Sequence, residues 1–226
     1  MRRRLGKTER RRLRRMSRSP DIKEVDLADY QYLHEGVSVD GVICLIQQLG
    51  YSPFNLIDIA AGDERHPTVI RLYPLNRNNL EGRYGMHVEG CTKGLLPFPT
   101  IFWMTCPELK SRVSKLEDEG WILKLEHRLL NTSRSEEYLR VMKKAHELYA
   151  QERWELLSES DRELVQLNNW TRALRDVGIA GMWSFQFVKC LHTHYSHHLA
   201  RPEHGNLIGQ WVDDLLRGVY TDEETT

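Results

Sequence analysis

The sequence predicts an α+β fold, a small antiparallel sheet of about three strands packed against a mainly helical C-terminal half. Three observations predict it. Short β-rich runs are confined to residues 55–105. From residue 105 onward apolar residues recur at helical spacing behind S/T-x-x-E signals. The order helix, strands, helices segregates the two element types along the chain instead of alternating them.

The first helix is expected over Ser38 to Leu49, where Val42, Ile43, Leu45 and Ile46 share a face, Ser38 or Asp40 can cap the start, and Gly50 ends it. Asn55 to Ala60 and Thr68 to Leu75 then read as a β-hairpin around Gly62-Asp63. Thr100 to Thr105 supplies a third strand through Ile101, Phe102, Trp103 and Met104. The intervening Asn76 to Gly94 is polar, holds four glycines and is expected to be a mobile loop.

Thr105-Cys106-Pro107-Glu108 reads as a capping box that opens a helix with Leu109, Val113 and Leu116 as its stripe and Gly120 as its stop. Ser133-x-x-Glu136 opens a longer helix with Tyr138, Val141, Met142, Ala145 and Tyr149 inward. Ser160-x-x-Glu163 opens a third, running to Gly178. A fourth is expected from about Ser184 to Ala200, ahead of Pro202. A last short helix presents Leu207, Ile208, Trp211, Leu215 and Leu216. The expected organisation is a basic tail over 1–20, a linker over 21–37, one α+β domain over 38–218 and a disordered end over 219–226.

The formal net charge of zero conceals an asymmetry. Residues 1–18 hold nine Arg, one Lys and one acid, which leaves 22 basic and 31 acidic residues in the remainder. A tail of that composition buries little and repels itself. It reads as a solvated arm, an organelle-targeting (transit) peptide, a nuclear-import patch or one for nucleic acid or an acidic partner, or an arm that folds back on the acidic body. Four cysteines, Cys44, Cys91, Cys106 and Cys190, include no C-x-x-C pair. That spacing excludes a zinc ribbon or a thioredoxin-type couple, and so few cysteines do not staple a secreted scaffold. Reduced thiols point to an intracellular protein, cytoplasmic or organellar. The most apolar stretches are shorter than the ~20 residues a membrane span needs. No P-loop, G-x-S-x-G or dinucleotide fingerprint occurs.

The densest chemistry lies in Gln186 to Leu199, QFVKCLHTHYSHHL, with four of the ten histidines and one cysteine. On a continuous helix Cys190, His194 and His197 fall within roughly 60° of one another, with Val188, Leu191, Tyr195 and Leu199 opposite. Thiolate and neutral imidazole at ~2.0–2.3 Å are zinc ligands, and one helix supplies at most two or three of them. Cys106, Cys91 and His146 are the available partners. The bland alternative is a helix with exposed histidines and a half-buried Cys serving as a small hydrophobe. Cys106 carries a second chemistry: at the first turn of its helix, unpaired N–H groups favour a thiolate nucleophile, whereas burial beneath Trp103 and Leu109 opposes it. Glu117, Asp118 and Glu119 read as a solvated helix terminus.

FPTIFWMTCPEL, RVSKLEDEGW, AHELY, VKCLHTHYSHHLA and GNLIG, in that order and spacing, resemble the uncharacterised, largely bacterial domain-of-unknown-function family 501 over about Val39 to Leu216. The resemblance is most specific at Lys189, Cys190, Leu191, His192 and His197, and extends to Phe98, Pro99, Thr100, Pro107, Ser114, Leu116, Glu117 and His146. It implies one domain and shifts the favoured set to Cys190, His192 and His197. On a regular helix, however, His192 lies about 160° from Cys190, too far round to share an ion with it. Three functions follow as expectations. The first is a Cys/His cluster binding Zn²⁺, with Cys190, His197, Cys106 and His194 as candidate ligands. The second is a thiol-dependent enzyme using Cys106, with His192 and Lys189 in its site. The third is a non-catalytic interaction module that engages nucleic acid or an acidic partner through residues 1–18.

Overall fold

The computed structural model describes residues 25–77 and 95–221. The basic tail, Cys91, most of the expected mobile loop and residues 222–226 lie outside them. The fold is α+β. Helix α1 (Val39–Leu49) is followed by strands β1 (Leu56–Gly62), β2 (Pro67–Leu72), β3 (Leu75–Arg77), β4 (Leu95–Pro97) and β5 (Phe102–Met104). Helices α2 (Pro107–Asp118), α3 (Trp121–Leu130), α4 (Ser135–Glu155), α5 (Glu159–Leu167), α6 (Leu191–Ala200) and α7 (Leu207–Arg217) complete it.

Strands β1, β2 and β5 form a three-stranded antiparallel sheet with β2 central, and β3 pairs with β4 in a separate ribbon. The β1–β2 turn follows the sequence expectation. The Asp63 carboxylate accepts from the amides of Arg65 and His66, each at 2.8 Å. Gly62 has φ +87, and a Cβ there would sit 2.4 Å from the His66 carbonyl, so glycine is required. Successive β2 residues face opposite layers. Ile70 and Leu72 pack with Val42, Leu45 and Ile46 of α1, while Val69 packs with Phe102, Ala145 and Tyr149 beneath α4 and α6. A further core of Val113, Leu125, Leu129, Met142, Leu191, Tyr195, Ile208 and Trp211 joins the C-terminal helices. Residues 25–37, expected as a linker, bring Tyr30 into the α1 core, where it is buried.

Helix α1 begins and ends as expected: the Ser38 hydroxyl accepts from Gly41 N and Gly50 closes the helix with φ +74. Other boundaries differ, because tertiary partners take the expected caps. Buried Thr105 donates its hydroxyl to the Pro67 carbonyl at 2.8 Å, which leaves Cys106 as the α2 N-cap with no side-chain capping bond. Ser158, not Ser160, caps α5 through Asp161 N, and that helix stops at Leu167 instead of Gly178. Helix α4 starts at Ser135, two residues after the expected Ser133. Helix α3 follows the αL residue Gly120, where a stop without a restart was expected. Residues 184–190 are not helical, so α6 begins at Leu191 rather than near Ser184.

Arg153 of α4 is fully buried and has no carboxylate pair among the described residues. Its guanidinium donates instead to the carbonyls of Leu174 (2.8 Å), Pro99 (3.2 Å) and Val177. A fork of fixed donors thereby ties α4 to the turn after α5 and to the approach to β5. At the edge of the same helix Glu152 accepts from Arg71 of β2 (3.2 Å) and Arg201 (2.7 Å), which joins sheet and helices a second time.

Arg153→Met keeps most of the volume but leaves buried carbonyls without donors. Its urea midpoint is expected to report a loss of about 2–5 kcal/mol. Arg153→Lys is expected to recover only part of that, because one ammonium cannot span the carbonyls. A Met variant within about 0.5 kcal/mol of wild type would contradict this role.

Candidate metal centre

Helix α6 starts at a residue with no capping side chain of its own. Cys190 is its N-cap, extended at φ −157, and makes no side-chain capping bond. Carboxylates from two other helices hold this start, one on the first helical amide and one on the chain just before the cap. Glu126 of α3 accepts from Val188 N at 2.6 Å, and Glu117 of α2 accepts from Leu191 N at 2.7 Å. Anionic acceptors at a helix N-terminus complement both the unpaired N–H groups and the helix dipole. The chain at 188–190 is thus held out of the helix, against α2 and α3.

This placement decides the geometry. Cys190 stands outside the helix, so the regular-helix angle that separates it from His192 does not apply. Its Sγ lies 3.8 Å from His192 Nδ1, and that nitrogen lies 3.2 Å from Glu117 Oε1. Glu117, Cys190 and His192 form the only group of three or more metal-ligating residue types among the described residues whose ligand atoms all lie within 4.8 Å of one another. All three are half-buried, with the Glu117 and His192 side chains each 25% exposed, so the group is reachable from solvent.

The other ring nitrogen fixes the tautomer. His192 Nε2 lies 3.1 Å from the Lys110 carbonyl, an obligate acceptor, and 3.2 Å from the Ser114 hydroxyl. Nε2 therefore carries the N–H, and Nδ1 faces Glu117 and Cys190. The Cys190 hydrogen bond is the largest influence on His192. It outweighs burial and, with the Lys110 carbonyl and the charges of Glu117 and Cys190, lifts the imidazole to about 9. Burial alone would raise the Cys190 thiol, but hydrogen bonds from His192 and Thr193 prevail and lower it. A proton shared by these groups thus resides on the imidazole and leaves sulfur with thiolate character.

The remaining sequence candidates lie elsewhere. His194 and His197 are fully buried on α6, and Cys190 does not share a helix face with them because it precedes the helix. Both are organised by Asn206, the N-cap of α7. Its Oδ1 accepts from Gly209 N at 3.1 Å, so Nδ2 must donate, to the His194 carbonyl and to His197 Nδ1, each at 3.1 Å. His197 Nε2–H then donates to His204 Nδ1 at 3.0 Å, and His194 Nδ1–H donates to Asn206 Oδ1 at 3.1 Å. Burial holds His194 down to about 4, and burial with the neighbouring His194 holds His146 down to about 3. Lys189 is exposed, and Cys106 is the α2 N-cap. Glu117, expected from the sequence to be a solvated helix terminus, is the member of this group that residue spacing did not indicate. Its membership in the family-like pattern was the available signal.

A family model described as "Protein of unknown function (DUF501)" matches residues 60–214. No curated protein and no solved structure matches. Among the described residues no helix is long and apolar enough to cross a membrane.

The buried neutral histidines make stability depend on pH. Their folded-state values lie below the unfolded value of ~6.5, so on acidification the unfolded chain takes up protons that the native chain refuses. The stability they permit is complete above ~6.5 and falls between there and about 4, where His194 begins to titrate, and on to about 3 for His146. Each is expected to cost roughly 2 kcal/mol by pH 5. Urea midpoints at pH 7 and 5 measure it; His146→Gln should flatten the slope by about one proton, and a wild-type profile with no slope would contradict it.

Proposed function

The chain belongs to the DUF501 family of proteins of unknown function, and for this member we propose that the function is to bind a divalent metal ion, Zn²⁺, through Glu117, Cys190 and His192. The observation that supports this reading is the convergence of His192 Nδ1, a Glu117 carboxylate oxygen and Cys190 Sγ, with the distal Nε2–H held by the Lys110 carbonyl. In the metal-free protein the Nδ1 proton lies against a carboxylate oxygen and a sulfur, both electron-pair donors, and a cation that displaces it meets three ligand atoms. Three converging donors repel one another unless a proton or a cation lies among them. A zinc-bound histidine commonly donates its distal N–H to a backbone carbonyl in this way.

The donor set of one thiolate, one imidazole and one carboxylate suits zinc better than magnesium or calcium, which prefer oxygen alone. Three protein ligands leave a fourth tetrahedral position for water or a substrate, the arrangement of reactive rather than purely structural zinc sites. The half-buried position of the group is consistent with that openness. When bound, the ion supplies Lewis acidity. Glu117 also caps α6, so ligand placement and helix start depend on one carboxylate.

A second reading places thiol chemistry at Cys190 instead of Cys106, because hydrogen bonds lower the Cys190 thiol and its partner imidazole is raised to about 9. The two readings diverge in one experiment. If zinc is the ligand, a stoichiometric ion protects Cys190 from iodoacetamide; if Cys190 is a free nucleophile, zinc leaves its alkylation rate unchanged.

Untagged, reduced protein is expected to bind one Zn²⁺ per chain in competition with a chromophoric chelator. Cys190→Ser and His192→Ala should each weaken binding by at least ~100-fold, the upper end of what loss of a mere supporting contact costs. Glu117→Gln keeps the acceptor for Leu191 N but loses the anionic ligand, and should weaken zinc with little change in melting temperature. Less than about 0.1 zinc per chain, unchanged by Cys190→Ser, would falsify the proposal.

A further inference from the structure

Two imidazole nitrogens are buried without a hydrogen-bond partner among the described residues, and the rings that carry them are neighbours. His146 of α4 is 6% exposed and His194 of α6 is fully enclosed; the unpaired atom is Nε2 in both. The two ring centroids stand 5.9 Å apart. Buried polar atoms are ordinarily paired, so two adjacent exceptions call for a common partner. Neither residue belongs to the group of Glu117, Cys190 and His192.

The Nδ1 edge of each ring is fixed elsewhere. His194 Nδ1–H donates to Asn206 Oδ1 at 3.1 Å, which leaves a lone pair at Nε2. His146 sets its Nδ1 against Gly178, where a Cβ would lie 2.1 Å away. Nε2 is the far nitrogen of each ring, the one turned from its anchor. Another histidine pair in the same core gives the scale: His197 Nε2 and His204 Nδ1 meet at 3.0 Å with their centroids 5.2 Å apart. The centroids of His146 and His194, at 5.9 Å instead of 5.2 Å, place facing nitrogens about 0.7 Å beyond that 3.0 Å, or about 3.7 Å apart. That is too long for a hydrogen bond and close to two metal–nitrogen bonds of ~2 Å in line.

We propose that His146 Nε2 and His194 Nε2 bind one monovalent d10 ion between them, Cu⁺, in two-coordinate array. Donor number and charge select it. Both nitrogens of His197 are engaged, by Asn206 and His204, so the described residues offer two imidazoles and no third ligand. Zn²⁺ takes four ligands, or three with an open position. No carboxylate acts on either ring, and an enclosed double charge without an acid beside it is costly. Cu⁺ carries a single charge, accepts imidazole nitrogen and is satisfied by two donors in line. His194 keeps its distal N–H on Asn206, the outer hydrogen bond that metal-bound histidines retain. Entry is from the His146 side, since that residue also lines a cavity of about 500 Å³ beside α4.

The test titrates full-length protein carrying ¹⁵N-labelled histidine with Ag⁺, the redox-inert d10 analogue of Cu⁺, and follows each ring nitrogen by NMR. Thiols also bind Ag⁺, so residue-resolved nitrogens and not stoichiometry give the answer. Nε2 of His146 and Nε2 of His194 are expected to shift together at one midpoint, while His194 Nδ1 keeps its proton. Cys190→Ser should show the same paired shift, which separates this site from the zinc ligands. His146→Gln should weaken binding at His194 by at least ~10-fold, and His194→Gln should do the same at His146. Should both variants misfold, the wild-type titration still decides. The proposal is overturned if neither nitrogen moves once the thiols are saturated, if only one moves, or if the His194 midpoint is unchanged by His146→Gln. One equivalent of Zn²⁺ that moved both would overturn the choice of a monovalent ion.

Discussion

The carboxylate of Glu117 accepting the Leu191 amide is the contact on which the candidate site depends. Helix α6 needs an acceptor for its first free N–H, and the residue at its N-cap, Cys190, does not supply one. A side chain 74 positions earlier in the sequence does so instead. The bond costs little to form, since a charged acceptor at a helix N-terminus stabilises by roughly 0.5–2 kcal/mol. Its consequence is geometric. By ending the helix at Leu191 it turns Cys190 out of the helical repeat, and residues 190 and 192 face the same carboxylate. Were the helix to continue back to Ser184, they would stand on nearly opposite sides.

The run HTHYSHH looks like one cluster and is two. His192 faces α2 at the half-exposed edge, with its distal nitrogen set by the Lys110 carbonyl. His194 and His197 face inward, where Asn206 sets the proton on each ring while its own oxygen caps α7. In both places a side chain that caps a helix also lies against a histidine nitrogen, Glu117 against His192 and Asn206 against His194 and His197. In one case the nitrogen facing its neighbours is near solvent and beside sulfur; in the other the rings are dry and neutral, His197 packing against Phe102 and Tyr149 and His194 against His146.

The architecture was largely legible in the sequence because its strongest signals are local. Val42, Leu45 and Ile46 repeat at helical spacing between a Ser cap and a Gly stop, and the Gly62-Asp63 turn binds its own amides. The α7 stripe of Ile208 and Trp211 is buried as its periodicity indicates. Misplaced boundaries share one cause, a cap taken by a distant partner. Thr105 gives its hydroxyl to Pro67, and residues 188–190 are held out of the helix by bonds of the flanking amides to Glu126 and Glu117. Periodicity alone extended α6 through them because Val188, Leu191 and Tyr195 are all buried in the same core. The site was legible in part. Cys190 and His192 were singled out, and Ser114 and Glu117 stood among the family-like positions; that these four meet depends on contacts spanning 74 to 78 residues, which spacing does not encode.

X-ray absorption at the zinc edge, on protein loaded with one equivalent of Zn²⁺, tests the central claim most directly. Ligation by Glu117, Cys190 and His192 predicts a single sulfur scatterer at about 2.3 Å and nitrogen and oxygen at about 2.0–2.2 Å, with an imidazole signature in the outer shells. A first shell with no sulfur, or with two or more, would contradict it.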